Sequence, residues 1–499
     1  MDFKPISPED LKQLRYFLPS NKLVENMQRK GLSCCIFSSG VCIVNQGQVL
    51  ENPNLVQSVL NDVALLGLVV NKIYQCEPEV VQHHIQALRA SIQAQKKGTN
   101  DDVAAKADFM QILSCAVKYD CSDIHINVSD PETHVVFRRH GEAWRGSPLL
   151  PTYNDALHMI SRAIGVEGRH QASGDFDKTS IQHTSYTEKI TLDSKEQSVM
   201  LRFEKHPLVT RGDFKTVIRI NKQQAVKDLN ELKAETEFQT VTDRIMLRAQ
   251  GLIVVVGPTG SGKTTLMHGM IKAFPRDRFM DTLEDPVEIV TKYNPLISQH
   301  NYIEKTGYNH QLRSILRLDP DAILIGEMRD DETAQLAFNS ARTGHLTLTS
   351  LHADGVLACF HRLKGMQVPF PIQGEGELLL MLVSTRLVPI LCECKVRDNN
   401  PSSTICHRNP SPCELCFNGI THREPVIEYL MLTPSIRHYL IQNRPDELYK
   451  HLTESGWLQM KDKVLKRVVK GEVSPSDAIT IPGFDDLFKH TNNRDEHEY

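Results

Sequence analysis

The chain has 499 residues, enough for about three domains at roughly 150 residues each; 40% hydrophobic and 24% charged residues make an ordinary globular balance. Its 57 basic and 61 acidic residues leave a formal net charge of −4, which argues against a protein built to coat nucleic acid. The apolar stretch from Leu378 to Leu391 is broken by Ser384, Thr385 and Arg386 and is shorter than the ~20 residues that span a bilayer. With no signal-peptide core at the start, the expectation is a cytoplasmic protein, attached to a membrane only through partners. Its twelve cysteines should then be reduced or metal-bound.

In chain order, Ser7-Pro8-Glu9-Asp10 puts a hydroxyl cap before a proline, a helix-start signature, and Leu11, Leu14 and Leu18 follow at helical spacing. Cys34–Phe37 and Val41–Val44 read as short strands. Residues 1–92 carry no catalytic pattern and read as a docking module, followed by a polar linker over 93–102. From 103 to 225 a helix with Phe109, Ile112, Leu113 and Val117 on one face precedes strands at Ile124–Ile126, Val135–Phe137, Val199–Phe203 and Thr216–Ile220. After a linker over 226–240, residues 241–391 alternate strand and helix, the pattern of a mostly parallel sheet. The buried strands there are Leu252–Val256, Asp321–Ile325 and Leu346–Leu351, with another at Arg278–Leu283. Residues 392–423 form a cysteine-bearing loop. The rest, 424–499, reads as helical with a polar tail.

The strongest chemical signal is Gly257-Pro258-Thr259-Gly260-Ser261-Gly262-Lys263-Thr264, a complete P-loop between a buried strand and a helix, continued by Thr265. Its glycines let backbone N–H groups approach phosphate, and the helix start adds positive charge. Lys263 is expected to reach the terminal phosphates of ATP, and the Thr264 hydroxyl to ligate magnesium. Two acidic clusters follow. Glu284-Asp285-Pro286-Val287-Glu288 ends a strand, and Ala322–Ile325 runs into Gly326-Glu327, a Walker-B-like position. Either alone could be a surface turn; their order after a P-loop points to a magnesium-dependent site.

Leu312–Glu327 continuing through Gly355 is similar to the most characteristic stretch of the type II/IV secretion ATPase superfamily, which includes the assembly motors of type IV pili and type II secretion. Glu284–Glu288 resembles its Asp box. Gly344-His345 with Leu351-His352 resembles its His box. Upstream, Ser122-Asp123-Ile124-His125 and Phe137–Gly141 look like two of its N-terminal motor motifs, although His140 and Asn127 depart from the usual acids. The resemblance implies an α/β fold in which a RecA-like P-loop ATPase domain follows a PAS-like domain. It implies that Glu284 activates water, with Glu288 as alternate. Glu327 would hold the magnesium shell through water, His352 would sense the terminal phosphate, and His345 would be structural. Arg219, then Arg202, are the arginines it would bring to the nucleotide, with Arg211 in the loop between. Arg313, Arg317 and Arg329 would line a subunit junction. It further implies a homohexamer working with an inner-membrane platform protein and an adaptor. A RecA-like nucleic-acid motor, a type IV secretion or conjugation ATPase and a non-hydrolysing P-loop adaptor are the rival readings.

Five cysteines fall between Cys392 and Cys416. Cys413-Glu414-Leu415-Cys416 has the two-residue gap that lets two thiolates share one zinc. Cys392-Glu393-Cys394 has a one-residue gap, so Cys406 or His407 is open as a substitute ligand. The module, like the extra N-terminal residues, resembles the assembly type of motor more than the retraction type.

Overall fold

A computed structural model describes residues 4–5, 34–36, 41–45, 72–82, 84–86 and 101–492, apart from 131–132, 150, 168–175, 193–194, 211, 223–225, 399–402, 412 and 414–415. The expected helix at Leu11–Leu18, most of the docking module and linker, and Arg211 lie outside the described residues. The chain divides into two compact units, Met1–Gln223 and Gln224–Tyr499.

In the first unit, β1 (Lys4–Pro5), β2 (Cys34–Ile36), β3 (Val41–Asn45) and β4 (Lys72–Cys76) form a sheet in the order β1-β4-β3-β2. Helix α1 (Asp101–Lys118) then leads into β5 (Cys121–Val128), β6 (His134–Arg139), β7 (Glu142–Trp144), α2 (Tyr153–Arg162), β8 (Gln182–Leu192), β9 (Lys195–Pro207) and β10 (Phe214–Lys222). These strands make an antiparallel sheet, β7-β6-β5-β10-β9-β8. The period of two along β5 turns Ile124, Ile126 and Val128 into the core, where Phe109, Ile112, Leu113 and Val117 of α1 meet them. Asp123, His125 and Asn127 therefore lie on the other face. His140 and Gly141, both at positive φ (50° and 89°), make the two-residue turn between β6 and β7.

The second unit begins with α3 (Thr236–Ile245), β11 (Gly251–Val256), α4 (Lys263–Ile271), β12 (Met280–Glu284), β13 (Ile297–Asn301), α5 (Tyr308–Ile315), β14 (Ala322–Ile325), α6 (Asp331–Arg342), β15 (Leu346–Leu351), α7 (Val356–Gly365) and α8 (Phe370–Gly374). There follow β16 (Leu379–Leu391), β17 (Val396–Arg397), β18 (Cys406–His407), β19 (Ile420–Met431), α9 (Pro434–Ile441), α10 (Pro445–Glu454), α11 (Met460–Val469), α12 (Pro475–Ala478) and α13 (Phe484–Asn492). Seven strands form one sheet in the order β13-β12-β14-β15-β11-β16-β19. All neighbours are parallel except β16 and β19. Every residue of β11, β14 and β15 is buried, as continuous apolar strands covered on both faces require.

Two sequence expectations change here. Residues 226–240 are not an open linker: Leu229, Ala234 and Phe238 are core residues packed with Ile253, Val255 and Met270, and α3 already starts at Thr236. The stretch from Glu424 is not helical at its start. Val426–Met431 belong to β19, paired residue for residue with β16. An apolar run between Pro425 and Pro434 suits either state, and the free edge of β16 decides it. Helices begin only at Pro434, with Thr433 as N-cap. Glu428 of β19 is only 6% exposed and accepts from the N–H of Val356 at 3.2 Å and of Met460 at 2.6 Å. It thus caps the starts of α7 and α11 with one carboxylate.

Candidate active site

Four segments leave the carboxyl ends of neighbouring parallel strands. They are the phosphate loop after β11, the acidic segment ending β12, Gly326-Glu327 after β14 and His352 after β15. In-register pairing of Val256 with Leu351, Leu283 with Ile325 and Ile325 with Thr349 brings those ends to one edge, where open α/β sheets bind ligands.

In the loop, Gly260 and Gly262 hold φ of 75° and 90°, left-handed values that a side chain resists. A Cβ at Gly257 would sit 2.5 Å from both Ser261 Oγ and the Thr385 carbonyl oxygen, so only glycine fits there. Gly262 caps α4 without a side-chain hydrogen bond, leaving the helix start open to an anion. Ser261 Oγ is buried with no partner. The Lys263 ammonium donates to the carbonyls of Gly257 at 2.8 Å and Pro258 at 3.1 Å. Burial pushes its pKa down, opposed by the negative charges of Glu327 and Glu288. A loop of this shape, with a desolvated lysine and an orphan hydroxyl, fits the phosphates of a nucleotide.

Glu327 is held on two sides. His352 Nε2 lies 3.0 Å from its Oε1, and Arg329 Nε donates to its Oε2 at 3.2 Å. Arg329 also donates to Asp285 at 3.1 Å. His345 Nδ1 is 3.1 Å from the Ser340 carbonyl oxygen, at the start of β15.

The two glutamates of the β12 segment stand differently. Glu284 is 4% exposed, with its carboxylate against Thr282 Oγ1 at 2.8 Å, Gln299 Nε2 at 3.2 Å and His268 Nε2 at 3.2 Å. Glu288, in the loop beyond, is half-buried, and its charge acts on Lys263. His268, Thr282 and Gln299 belong to no motif; His268 alone has a local signal, a polar residue among Leu266, Met267, Met270 and Ile271 of α4, whereas β12 and β13 are themselves rich in polar residues.

Arg202 and Arg219 belong to the first unit. They face each other across β9 and β10; Arg219 Nε donates to Asp123 at 3.2 Å, and Arg202 pairs with Glu204 at 3.6 Å. Arg313 pairs with Glu332 at 2.9 Å.

The chain as a whole is similar to known proteins. The family model described as "Type II/IV secretion system protein" matches residues 99–487. The chain belongs to that family. Within it, the chain is 30% identical over 400 residues to the protein transport protein HofB homolog of Escherichia coli K12, covering 76% of this chain and 82% of that protein. It is 26% identical over 450 residues to the type IV pilus assembly ATPase PilB of Pseudomonas aeruginosa, covering 84% and 76%. Among solved structures, the DotB ATPase of Legionella pneumophila superposes with a TM-score of 0.55 at 20% identity, over 74% of this chain and 94% of that one. The pilus retraction motor PilT with bound ADP gives 0.53 at 22%, over 76% and 98%. The fold is that of the RecA-like secretion ATPases, and this family member is an ATPase.

The cysteine loop contains a second cluster. The sulfurs of Cys392, Cys394, Cys413 and Cys416 all lie within 4.8 Å of one another, at 3.6 Å for Cys392–Cys413, 3.8 Å for Cys394–Cys416 and 3.7 Å for Cys413–Cys416. Four thiolates placed tetrahedrally at ~2.3 Å from one zinc would stand roughly 3.8 Å apart, so the donor set fits that ion. Cys406 and His407 are not in the cluster; they form β18, paired with β17. Burial, then the neighbouring sulfurs of Cys413 and Cys394, push the Cys416 thiol up to about 12, a shift that a bound dication would reverse. Among the described residues, no helix is long and apolar enough to cross a membrane.

Proposed function

We propose that the chain is the ATP-hydrolysing motor of a fibre-assembly machine, working as a homohexamer on a type IV pilus or type II secretion pseudopilus. It would stay peripheral to the inner membrane, held by a platform protein and by an adaptor docked on residues 1–92. The named functions of its relatives support this class. The observation that carries the hydrolytic reading is the convergence of the phosphate loop, the acidic segment ending β12 and Gly326-Glu327 at one edge of the parallel sheet.

In this reading Gly257–Thr265 wrap the phosphates of ATP, the substrate, and Lys263 shifts from the loop carbonyls to the terminal phosphates. The Thr264 hydroxyl would ligate magnesium and Glu327 would hold its shell through water, and the ion would neutralise phosphate charge. Glu288 takes the proton of the attacking water as its oxygen bonds to the γ-phosphorus. The bond from that phosphorus to the β–γ bridging oxygen breaks, and ADP and phosphate leave. Glu284, walled in by three donors, positions that segment. His352 and Arg329 steer Glu327, so His352 is placed to register the terminal phosphate through it. Arg219, then Arg202, would neutralise charge on the transferred group. Cys392, Cys394, Cys413 and Cys416 would hold one structural zinc. The test is steady-state phosphate release by the purified chain and its Glu288→Gln variant: turnover lost with ATP still bound supports the role, and undiminished turnover removes it.

A further inference from the structure

We infer that His268, Glu284 and Gln299 form a brace that fixes the Glu288 loop against the phosphate-binding helix, and that this brace sets the rate of hydrolysis without contributing to ATP affinity. The inference rests on Glu288 as the base. Its geometry can be followed atom by atom. His268 lies on α4, the helix that begins at Lys263, about a turn and a half further on. It is 1% exposed, with Nε2 at 3.2 Å from Glu284 Oε2. Its Nδ1 is buried without a partner. The Nε2 side of the ring is thus the one that links α4 to the Glu284 carboxylate.

The other oxygen of Glu284 accepts from Thr282 and from the Gln299 amide. That amide nitrogen also donates to the Ile289 carbonyl at 2.9 Å, while the amide oxygen accepts from the Thr291 N–H at 2.7 Å. Asn301 Oδ1 accepts from the Val287 N–H at 2.8 Å. The backbone on both sides of Glu288 is therefore tied to β13, on one side by Asn301 and on the other by Gln299. Of these two ties, the one through Gln299 continues to Glu284 and His268, and so to the helix that grips phosphate. A shift of α4 is passed to the base through three side chains, and a loosened link lets the base drift from the water. Misplacement of about 1 Å can cost a hundredfold in rate.

The test compares His268→Leu, His268→Gln and Gln299→Leu in the full chain, measuring kcat, KM for ATP and equilibrium ATP binding. His268→Leu and Gln299→Leu should each lower kcat roughly tenfold to hundredfold with ATP affinity unchanged. His268→Gln, whose amide can still donate to Glu284, should recover most of the rate. The double variant should be no slower than the worse single one, because both cut the same connection. Unchanged kcat in both Leu variants, equal loss of rate and affinity, or losses that multiply in the double variant would overturn the brace. Should His268→Leu not fold, Gln299→Leu and the Gln variant still decide. Glu288→Gln is measured alongside. If it is inactive while the Leu variants are normal, the brace fails alone; if it turns over normally, the base assignment fails first.

Discussion

At the phosphate loop one cation is opposed by its own surroundings. Lys263 is turned onto two loop carbonyls and loses charge stability to burial, and Glu327 and Glu288 restore part of it. Lys263→Ala should therefore weaken ATP binding by about 2 kcal/mol or more, the scale of a charge-assisted contact, measured by nucleotide titration. An unchanged affinity would remove Lys263 from the site. The Asp-box glutamates should separate in the same assays. Glu288→Gln should lower turnover by roughly a hundredfold or more, the contribution of a general base, whereas Glu284→Gln, which keeps the shape of a braced side chain, should cost less. The sequence shows both glutamates in one acidic segment at the end of a strand but not which one is buried. Glu284 is the last residue of β12, and only its contacts with His268 and Gln299, from other elements, tell it apart from Glu288.

The elements around the sheet were legible in proportion to how local their signals are. The P-loop strand, β14 and β15 are continuous apolar runs and could be read directly. β13, Ile-Ser-Gln-His-Asn, is polar because it lies at the sheet edge, and β19 took its state from the partner strand β16. Neither is visible without tertiary pairing. Glu428, on β19, joins the sheet to α7 and α11, so Glu428→Ala should destabilise the second unit by about 2–4 kcal/mol, since it leaves two buried N–H groups unpaired. Denaturant unfolding would measure it. Burial raises the Glu428 pKa above the ordinary carboxylate range. The native state then holds the extra proton between those two values, so this group makes the fold less stable as pH rises through that window. Glu428→Gln should flatten that slope. The cysteine loop is tied to the C-terminal helices through Lys395 to the Gly471 carbonyl at 2.9 Å and Arg408 Nε to Asp477 at 2.9 Å. Chelation should remove about one zinc per chain and raise amide exchange in 403–411 and 471–478. Metal analysis near zero in untreated protein would count against the ion.

Across the whole molecule, the family and the ATPase fold were already carried by Leu312–Gly355 and the P-loop, because phosphate chemistry fixes residue types at fixed spacing. The homohexamer enters only through the family resemblance and stays a proposal, because assembly depends on surfaces that no local motif encodes. The proposed ring predicts a mass of about six chains in the presence of nucleotide by light scattering, and a persistent monomer would oppose it. The most direct measurement is steady-state phosphate release from the full chain, beside Lys263→Ala and Glu288→Gln. Magnesium-dependent release by the native chain, absent from both variants while Glu288→Gln still holds ATP, is the predicted result. No release from the native chain, or undiminished release from Glu288→Gln, would contradict it.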